Sequence, residues 1–575
     1  MTAVAPRRRG WVPVTAGLLC FGVGLLDIVS AVTDEQASRI RALTKVMPGA
    51  LTHAASAATV VSGVLLLLLA HALRRRKRRA WRAVVGLLAA TVVLHVAKGL
   101  DVEEALVALA LLVLLVANRH EFYALGDPRT RWRALGVLGV LVVVDVVVGG
   151  GLLVTQRDEV AGQPGFGTYL AHLLLGLAGV PGPLTFTTEG TADLVTFSLA
   201  GLGAVTAFVT AYLVLRPAEP APRLTDEDEC RLRELLARHG RRDSLGYFAL
   251  RRDKSVLWSP TGKAAVSYRV LTGVMLASGD PIGDPEAWPG AIAGFLAEAD
   301  RHAWVPAVVG CGELGGQVWA REGGMDALEL GDEAVVEVAD FCLDGRSMRN
   351  VRQMAARVER AGYSTHVRRM ADLHDDERHE LERSVAAWRD GETERGFSMA
   401  LGRFGDHADD DCVLVTASND GRLRALLHFV PWGADGLSLD LMRRDRAADP
   451  GLNELLIVAA MNAAEGLGVA RVSLNFAVFR SSLARGERLG AGPVLRLWRA
   501  VLLFLSRWFQ IESLYRFNAK FHPEWVPRYV VFRNVRDLPR IGIAALEAEA
   551  FLVVPTLSRF SRSRRGHRQP LEARS

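Results

Sequence analysis

An acid and a base stand three residues apart in Ser438-Leu439-Asp440-Leu441-Met442-Arg443. A second stretch, Phe517-Asn518-Ala519-Lys520-Phe521-His522-Pro523-Glu524-Trp525-Val526-Pro527-Arg528-Tyr529, sets cations among aromatics and prolines. Asp440 can hold a substrate amine or act as a general base, and Arg443 can bind phosphate or a developing negative charge. The plainer reading is an ion pair at a sheet edge. On a regular strand, residues three apart face opposite sides, so one of the two is expected past the strand end. Lys520 can stabilise an oxyanion or hold a phosphate, or be a solvated lysine. Arg528 and Tyr529 can complete a phosphate pocket, while His522 is as well explained by loop packing.

Other candidates divide similarly. Glu454 opens an expected helix, where a carboxylate either complements the helix dipole or binds a substrate ammonium. Asp280 and Asp284 fall in a Gly-Asp-Pro turn, for which a structural role is the better reading. The helix around 346–361 aligns Arg349, Arg352 and Arg360 near one face, either as a solvated surface or as a track for RNA phosphates. No zinc site, P-loop, nucleophile elbow or dinucleotide fingerprint is present, and no metal is expected. The five cysteines are scattered, which excludes a disulfide scaffold and a cysteine zinc site.

These residues follow a long apolar region. The chain has 575 residues, half of them hydrophobic, with a formal charge of +6. Apolar runs crowd before residue 216 and charge dominates after it. Spanning helices are expected at 11–32, 50–73, 80–97, 102–117, 132–154 and 191–215, each near the length that crosses a bilayer. The shorter run 168–180 reads as re-entrant or interfacial. Arg7-Arg8-Arg9, the run Arg74–Arg79 and the loop holding Arg119, Arg129, Arg131 and Arg133 fall on one side, which is the inside. Six spans place the rest of the chain in the cytosol. The expected setting is therefore a multi-pass protein of the plasma membrane with a cytoplasmic catalytic half. Asp27 and Asp145 lie within spans, either lining a polar route or bonding between helices.

After the linker Pro217–Pro222, helices are expected at 225–239, 286–303, 346–361, 372–388 and 452–467. Strands are expected at 247–250, 264–270, 274–277, 305–310, 316–320, 413–417, 423–431, 436–442 and 470–476. Three strands, a helix and a strand, seen twice, form tandem N-acetyltransferase-like (GNAT) units. The expected division is a transmembrane domain at 1–216, a first unit with its bridging helix at 217–370, a second, catalytic unit at 371–540, and a basic tail at 541–575. The loop that grips coenzyme A in that fold is missing, so acyl-CoA is not the expected donor. The segment Val494–Gln510 reads as a buried helix or as one lying in the bilayer surface. The tail, with Arg559, Arg562, Arg564, Arg565 and Arg568, is expected to touch anionic lipid or to stay unfolded.

Taken together, Ser278-Gly279-Asp280-Pro281-Ile282-Gly283-Asp284, Ser347-Met348-Arg349-Asn350, Gly396-Phe397-Ser398, the Asp440 strand and the Lys520 loop resemble the phosphatidylglycerol lysyltransferases. The resemblance is nearest to the subgroup often fused to a lysyl-tRNA synthetase. It implies transfer of lysine from lysyl-tRNA to phosphatidylglycerol without a cofactor, giving a cationic lipid that resists cationic antimicrobial peptides. It implies Asp440, Arg443 and Lys520 as catalytic residues, and Asn453, Glu454, Asn475, Arg516, Arg528 and Tyr529 as substrate-binding residues. Arg349, Arg352 and Arg360 would meet the tRNA. Because the synthetase domain is not in the sequence, a separate lysyl-tRNA synthetase is expected as a partner, alongside membrane lipids; a homo-oligomer is compatible but not required. Two rivals remain open: a peptidoglycan-type aminoacyl-tRNA transferase, and a lipid transporter or scaffold with a degenerate acyltransferase domain.

Overall fold

A computed structural model describes residues 11–32, 63–97 except 68, 71 and 75, 102–123, 130–215 except 181, 219–389, 396–478 and 511–551. The expected surface helix at Val494–Gln510 and the arginines of the tail lie outside the described residues. The chain divides at Glu219/Pro220 into a helical unit and an α/β unit.

The helical unit holds α1 (Trp11–Val32), α2 (Arg78–Ala97), α3 (Val102–Ala117), α4 (Thr130–Thr155), α5 (Phe166–Leu177) and α6 (Glu189–Leu215). The expected span at 50–73 is described only from residue 63. Within α4 and α6, Leu135–Thr155 and Glu189–Ala211 are long and apolar enough to cross a membrane, by length and composition. Val140, Val147 and Val154 recur at seven-residue spacing along α4 and are all strongly exposed, the pattern of a face turned to lipid. Helix α5 makes an excursion from the end of α4. The chain then comes back to that end, where Ala161 N–H donates to Thr185 O at 2.9 Å and Thr187 N–H donates to Glu159 O at 2.8 Å. Asp145 of α4 is buried and accepts a 2.7 Å hydrogen bond from Thr206 of α6. Of its two sequence readings, this geometry is the helix-to-helix bond. The side chain of Asp27 is outside the described residues.

The α/β unit is one 12-stranded sheet in the order β1-β2-β3-β5-β12-β6-β11-β10-β9-β8-β7, with β4 paired to β2. The strands are β1 (Ser255–Trp258), β2 (Ala264–Leu271), β3 (Val274–Ser278), β4 (Ile282–Gly283), β5 (Val305–Cys311), β6 (Asp326–Glu337), β7 (Ser364–Arg369), β8 (Val413–Asn419), β9 (Arg422–Trp432), β10 (Gly436–Arg444), β11 (Arg471–Val478) and β12 (Glu524–Phe532). The helices are α7 (Asp226–His239), α8 (Trp288–His302), α9 (Glu313–Gly323), α10 (Arg349–Arg360), α11 (Asp375–Ala387), α12 (Leu452–Ala464), α13 (Ile511–Asn518) and α14 (Leu538–Ala548).

The two GNAT-like halves exchange strands. β12, late in the chain, lies antiparallel between β5 and β6, and β6 in turn pairs with β11. The boundary expected at 370/371 therefore does not separate two bodies. α10 buries Val351, Ala355 and Val358 in the same core as β8, β9 and α12, and β7 pairs with β8, so both belong to the second half. The tail expected from 541 also begins too early. α14 packs Ile541, Ala544 and Ala548 against Leu276, Val309 and Val530 of the sheet.

Two expected strands are helical. Gly246–Leu250 is a buried 3-10 turn. Gly316–Ala320 falls inside α9, where Trp319 is fully buried and meets the Phe295 ring edge-on at 5.2 Å. Short apolar runs carry no period of their own, and tertiary burial decides between helix and strand. Helix α12 is apolar nearly all round because it lies between the sheet and α10. It starts at Gly451, whose φ of 108° suits glycine, and a Cβ there would lie 3.1 Å from Val358 Cγ2.

Candidate active site

β10 pairs in parallel with β11 only at Gly436, Leu437 and Ser438, opposite Arg471, Val472 and Ser473. Beyond that point the strands part, although β10 runs to Arg444 and β11 to Val478. Each is irregular at the parting. β10 shifts register against β9 between Leu439 and Leu441. β11 shifts against β6 between Ser473 and Phe476, where Asn475 has a φ of 79°. Strands that stop pairing leave peptide groups with unused donors and acceptors, which an extended substrate can engage.

The bulge in β10 settles the spacing of Asp440 and Arg443. A bulge sets two residues against one and reverses the alternation of faces. Leu439 thus packs in the α12 core, whereas Leu441 packs in the core on the other side. Both Asp440 and Arg443 lie within the strand and share the face of Leu441; neither is past its end. The side chain of Asp440 is buried and has both oxygens engaged. Oδ1 accepts the Leu401 N–H at 2.6 Å, and Oδ2 lies 2.8 Å from Nδ1 of His428 on β9. The Phe404 ring meets His428 edge-on at 5.1 Å. The imidazole is buried, and the Asp440 carboxylate ties the loop after Gly396-Phe397-Ser398 to the sheet.

Lys520 and Glu454 meet on the opposite face. Lys520 Nζ donates to Glu454 Oε1 at 2.7 Å and lies 5.3 Å from the centre of the Phe517 ring. The Glu454 side chain is 7% exposed and that of Lys520 is 32% exposed, so the cation is the solvent-facing partner. Asn518 donates to the Leu474 carbonyl at 3.1 Å, which anchors this turn over β11 just before Asn475. Asn453 Oδ1 is buried without a hydrogen-bond partner among the described residues. Arg349, Arg352 and Arg360 are exposed on α10, a helix of this same core. Arg352 also donates to the carbonyls of Leu343 and Gly345, and Arg360 Nε to that of Ala356. Arg516 is exposed on α13. The structure therefore joins Glu454 to Lys520 but puts the sheet between that pair and Asp440.

Arg528 departs furthest from expectation. It is fully buried, with Nη1 2.8 Å from Asp243 Oδ1, Nη2 2.6 Å from Glu333 Oε2 and Nη2 2.6 Å from Ser244 Oγ. Glu333 also accepts from Ser244 and Ser473. A guanidinium so occupied has no donors to offer a phosphate; it pins β12 to β6 and to the Asp243 turn. Tyr529, next to it, lies opposite Cys311 and Glu329 on the neighbouring strands. Asp280 caps the start of α9 through the Gly312 N–H at 2.7 Å. Burial, with Asp243 nearby, pushes its carboxyl up to about 6. Asp284 caps the turn at Glu286. No metal-ligand cluster occurs among the described residues.

Residues 233–532 match the family model described as phosphatidylglycerol lysyltransferase, C-terminal, and residues 8–215 match the transmembrane region of lysyl-tRNA synthetase. The chain belongs to the phosphatidylglycerol lysyltransferase family. It is 45% identical over 470 residues to the lysylphosphatidylglycerol biosynthesis bifunctional protein LysX of Rhodococcus jostii (strain RHA1), covering 81% of this chain and 41% of that protein. The LysX of Mycobacterium avium (strain 104) is 45% identical over 465 residues, covering 80% of this chain and 39% of that protein. The chain thus spans about two fifths of the length of these curated relatives. The structure of L-PGS from Bacillus licheniformis superposes with a TM-score of 0.50 at 21% identity, covering 58% of this chain and 99% of that one. It shares the fold of this lysyltransferase-family α/β unit.

Sequence reasoning missed four contributors. His428 sits in an alternating strand with no motif around it. Glu333 and Asp243 are ordinary acids until β12 brings Arg528 between them. Lys254 is fully buried, its Nζ donating to Ser278 Oγ at 2.7 Å and to Phe248 O at 3.0 Å, 4.4 Å from the Phe397 ring centre. Burial, with Arg251 adding to the effect, pushes its ammonium down to about 7. It links two of the family motifs, at Ser278 and Phe397. A lone lysine outside any motif gave no signal of that.

Proposed function

We propose that this chain transfers lysine from lysyl-tRNA to a glycerol hydroxyl of phosphatidylglycerol. The lipid oxygen bonds to the lysyl carbonyl carbon, the ester bond to the tRNA 3′ end breaks, and the hydroxyl proton passes to the departing tRNA oxygen. What carries this reading is the parting of β10 and β11 beside the Glu454–Lys520 pair, in a chain matched by the lysyltransferase model over 233–532. Lys520 supplies a charge for the oxyanion, and Glu454 fixes it in place. Asp440, buried with His428 on the other face of the sheet, holds the Leu401 loop and the end of β10 that frames the opening. α10 lies on the Lys520 face, so the tRNA arrives there, guided by Arg349, Arg352 and Arg360.

The donor is cytosolic, so the α/β unit faces the cytosol and the helical unit crosses the plasma membrane several times. Charged tRNA comes from a lysyl-tRNA synthetase. The cationic product lowers the negative charge of the membrane and with it the attraction of cationic antimicrobial peptides. Purified full-length chain, incubated with lysyl-tRNA and phosphatidylglycerol in detergent, is expected to yield lysyl-phosphatidylglycerol by mass spectrometry. No product there, or product only with a peptidoglycan precursor as acceptor, overturns the reading.

A further inference from the structure

Helix α14 has two apolar faces. Its inner face, Ile541, Ala544 and Ala548, is buried against the sheet. At 100° per residue the opposite side of the helix carries Pro539, Ile543 and Leu546, with Val535 in the 3-10 turn just before it and Phe551 just after it. Val535 is 65% exposed, Ile543 50% and Phe551 39%. Only two other large apolar side chains among the described residues of the α/β unit are exposed, Leu314 and Leu328. A helix in a globular unit normally turns charge outward, and an apolar outer face marks contact with something else.

Charge indicates what that is. Arg536 is exposed beside the stripe and the adjoining Arg533 and Arg540 are partly so, but Asp537, Glu547 and Glu549 balance them within the same stretch, so the excess of cations begins beyond Phe551. Beyond Phe551 the sequence continues Leu552-Val553-Val554-Pro555 and then carries Arg559, Arg562, Arg564, Arg565, Arg568 and Arg574 against a single acid, Glu572. An apolar stripe continued in sequence by a strongly basic segment complements a bilayer rich in anionic headgroups.

We propose that the outer face of α14, together with Val535 just before it and Phe551 just after it, lies on an anionic bilayer and holds the α/β unit against the leaflet that supplies the acceptor lipid. This rests on the reading of phosphatidylglycerol as acceptor. It adds that the catalytic unit has a lipid contact of its own, on an element away from the Glu454–Lys520 pair. The helix lies in the plane of the surface, with Ile543 at acyl-chain depth and the arginines among the headgroups.

The test uses full-length protein in nanodiscs, with the exposed Cys230 and Cys342 replaced by serine. A polarity-sensitive fluorophore is attached at Ile543→Cys or, as a control, at Glu359→Cys on α10. The label at 543 is expected to emit to the blue of the control and to be quenched by a doxyl-bearing lipid. The quenching should weaken when phosphatidylglycerol is replaced by phosphatidylcholine. Quenching no greater than at 359 overturns the proposal. A blue shift without lipid quenching also overturns it, because protein, either the chain's own C-terminal segment or a second copy, then covers the face. As a functional arm, Ile543→Glu should raise the KM for vesicle phosphatidylglycerol about fivefold or more, while leaving turnover in detergent within about twofold. Equal KM values on vesicles sink the proposal; a wild-type chain inactive in detergent sinks the lysyltransferase reading instead, and the quenching result stands apart from both.

Discussion

Lys520 Nζ lies 2.7 Å from Glu454 Oε1, which joins the first turn of α12 to the turn before β12. A cation held by a buried carboxylate at a strand opening is placed to meet negative charge that develops there. Lys520→Ala is expected to lower turnover by about 100-fold, the scale of one lost oxyanion contact. Lys520→Arg should recover only part of it, since the longer fork does not fit the same point. Single-turnover rates with pre-bound lysyl-tRNA measure both; wild-type rates in the alanine variant remove Lys520 from the mechanism.

The Asp440–His428 pair makes a different forecast. Asp440→Asn can still bond Leu401 but no longer fixes the imidazole as a carboxylate does. With the end of β10 less firmly held, turnover should fall by roughly 100-fold in a protein that still folds, the scale of a small misplacement of groups at the opening. His428→Gln should fall alike, and the double variant no further than either single one. Additive losses would show that the two residues act separately.

Arg528 should behave as a structural residue. Replacing it by methionine leaves Glu333 and Asp243 buried without their cation, a defect that costs about 3–5 kcal/mol. The melting transition of the α/β unit is expected to drop sharply. Retained stability with lost activity would instead place the guanidinium at the substrate.

For the arginines of α10 the measurement is salt dependence. Arg349→Ala with Arg352→Ala should weaken tRNA binding and lower the slope of log affinity against log salt by about two phosphate contacts. An unchanged slope returns the helix to a solvated surface.

Lys254 predicts a pH effect on stability. Burial lowers its folded value from 10.5 to about 7. Its contribution is therefore full above about 10.5 and is lost as pH falls toward 7, because the unfolded chain binds the proton that the folded chain resists. Thermal melts of wild type and Lys254→Met at pH 7 and pH 10 should show the difference moving in favour of wild type at the higher pH. A constant difference would mean that the buried amine keeps its proton throughout.

Local pattern was enough to reveal much of this. The helices at 226–239, 288–302 and 452–464 and the strands β8 to β11 follow from their apolar periods and turn residues, within a few residues of their ends, whereas β6, β7 and β12 were not foreseen. The pairing of Glu454 with Lys520 was not readable, since it depends on α13 folding back over β11. The bulge at Leu439–Leu441 was equally hidden. It brings Asp440 and Arg443 to one face, against the simple alternation of a strand, and no glycine or proline marks it. Arg528 looked like a ligand because a cation among aromatics suits phosphate. Its true surroundings come from strands distant in sequence.

The insertion of β12 between β5 and β6 also governs the order in which the protein can be made. A ribosome delivers β5 and β6 long before residues 524–532, so both strands wait with a bare edge until that segment emerges. Neither half can close its part of the sheet in advance, and Arg528, which neutralises Glu333 and Asp243, arrives with that strand. Maturation of the catalytic half is thus a single late event, after the helical unit has left the ribosome, and the interval before it is when this chain is most open to wrong partners.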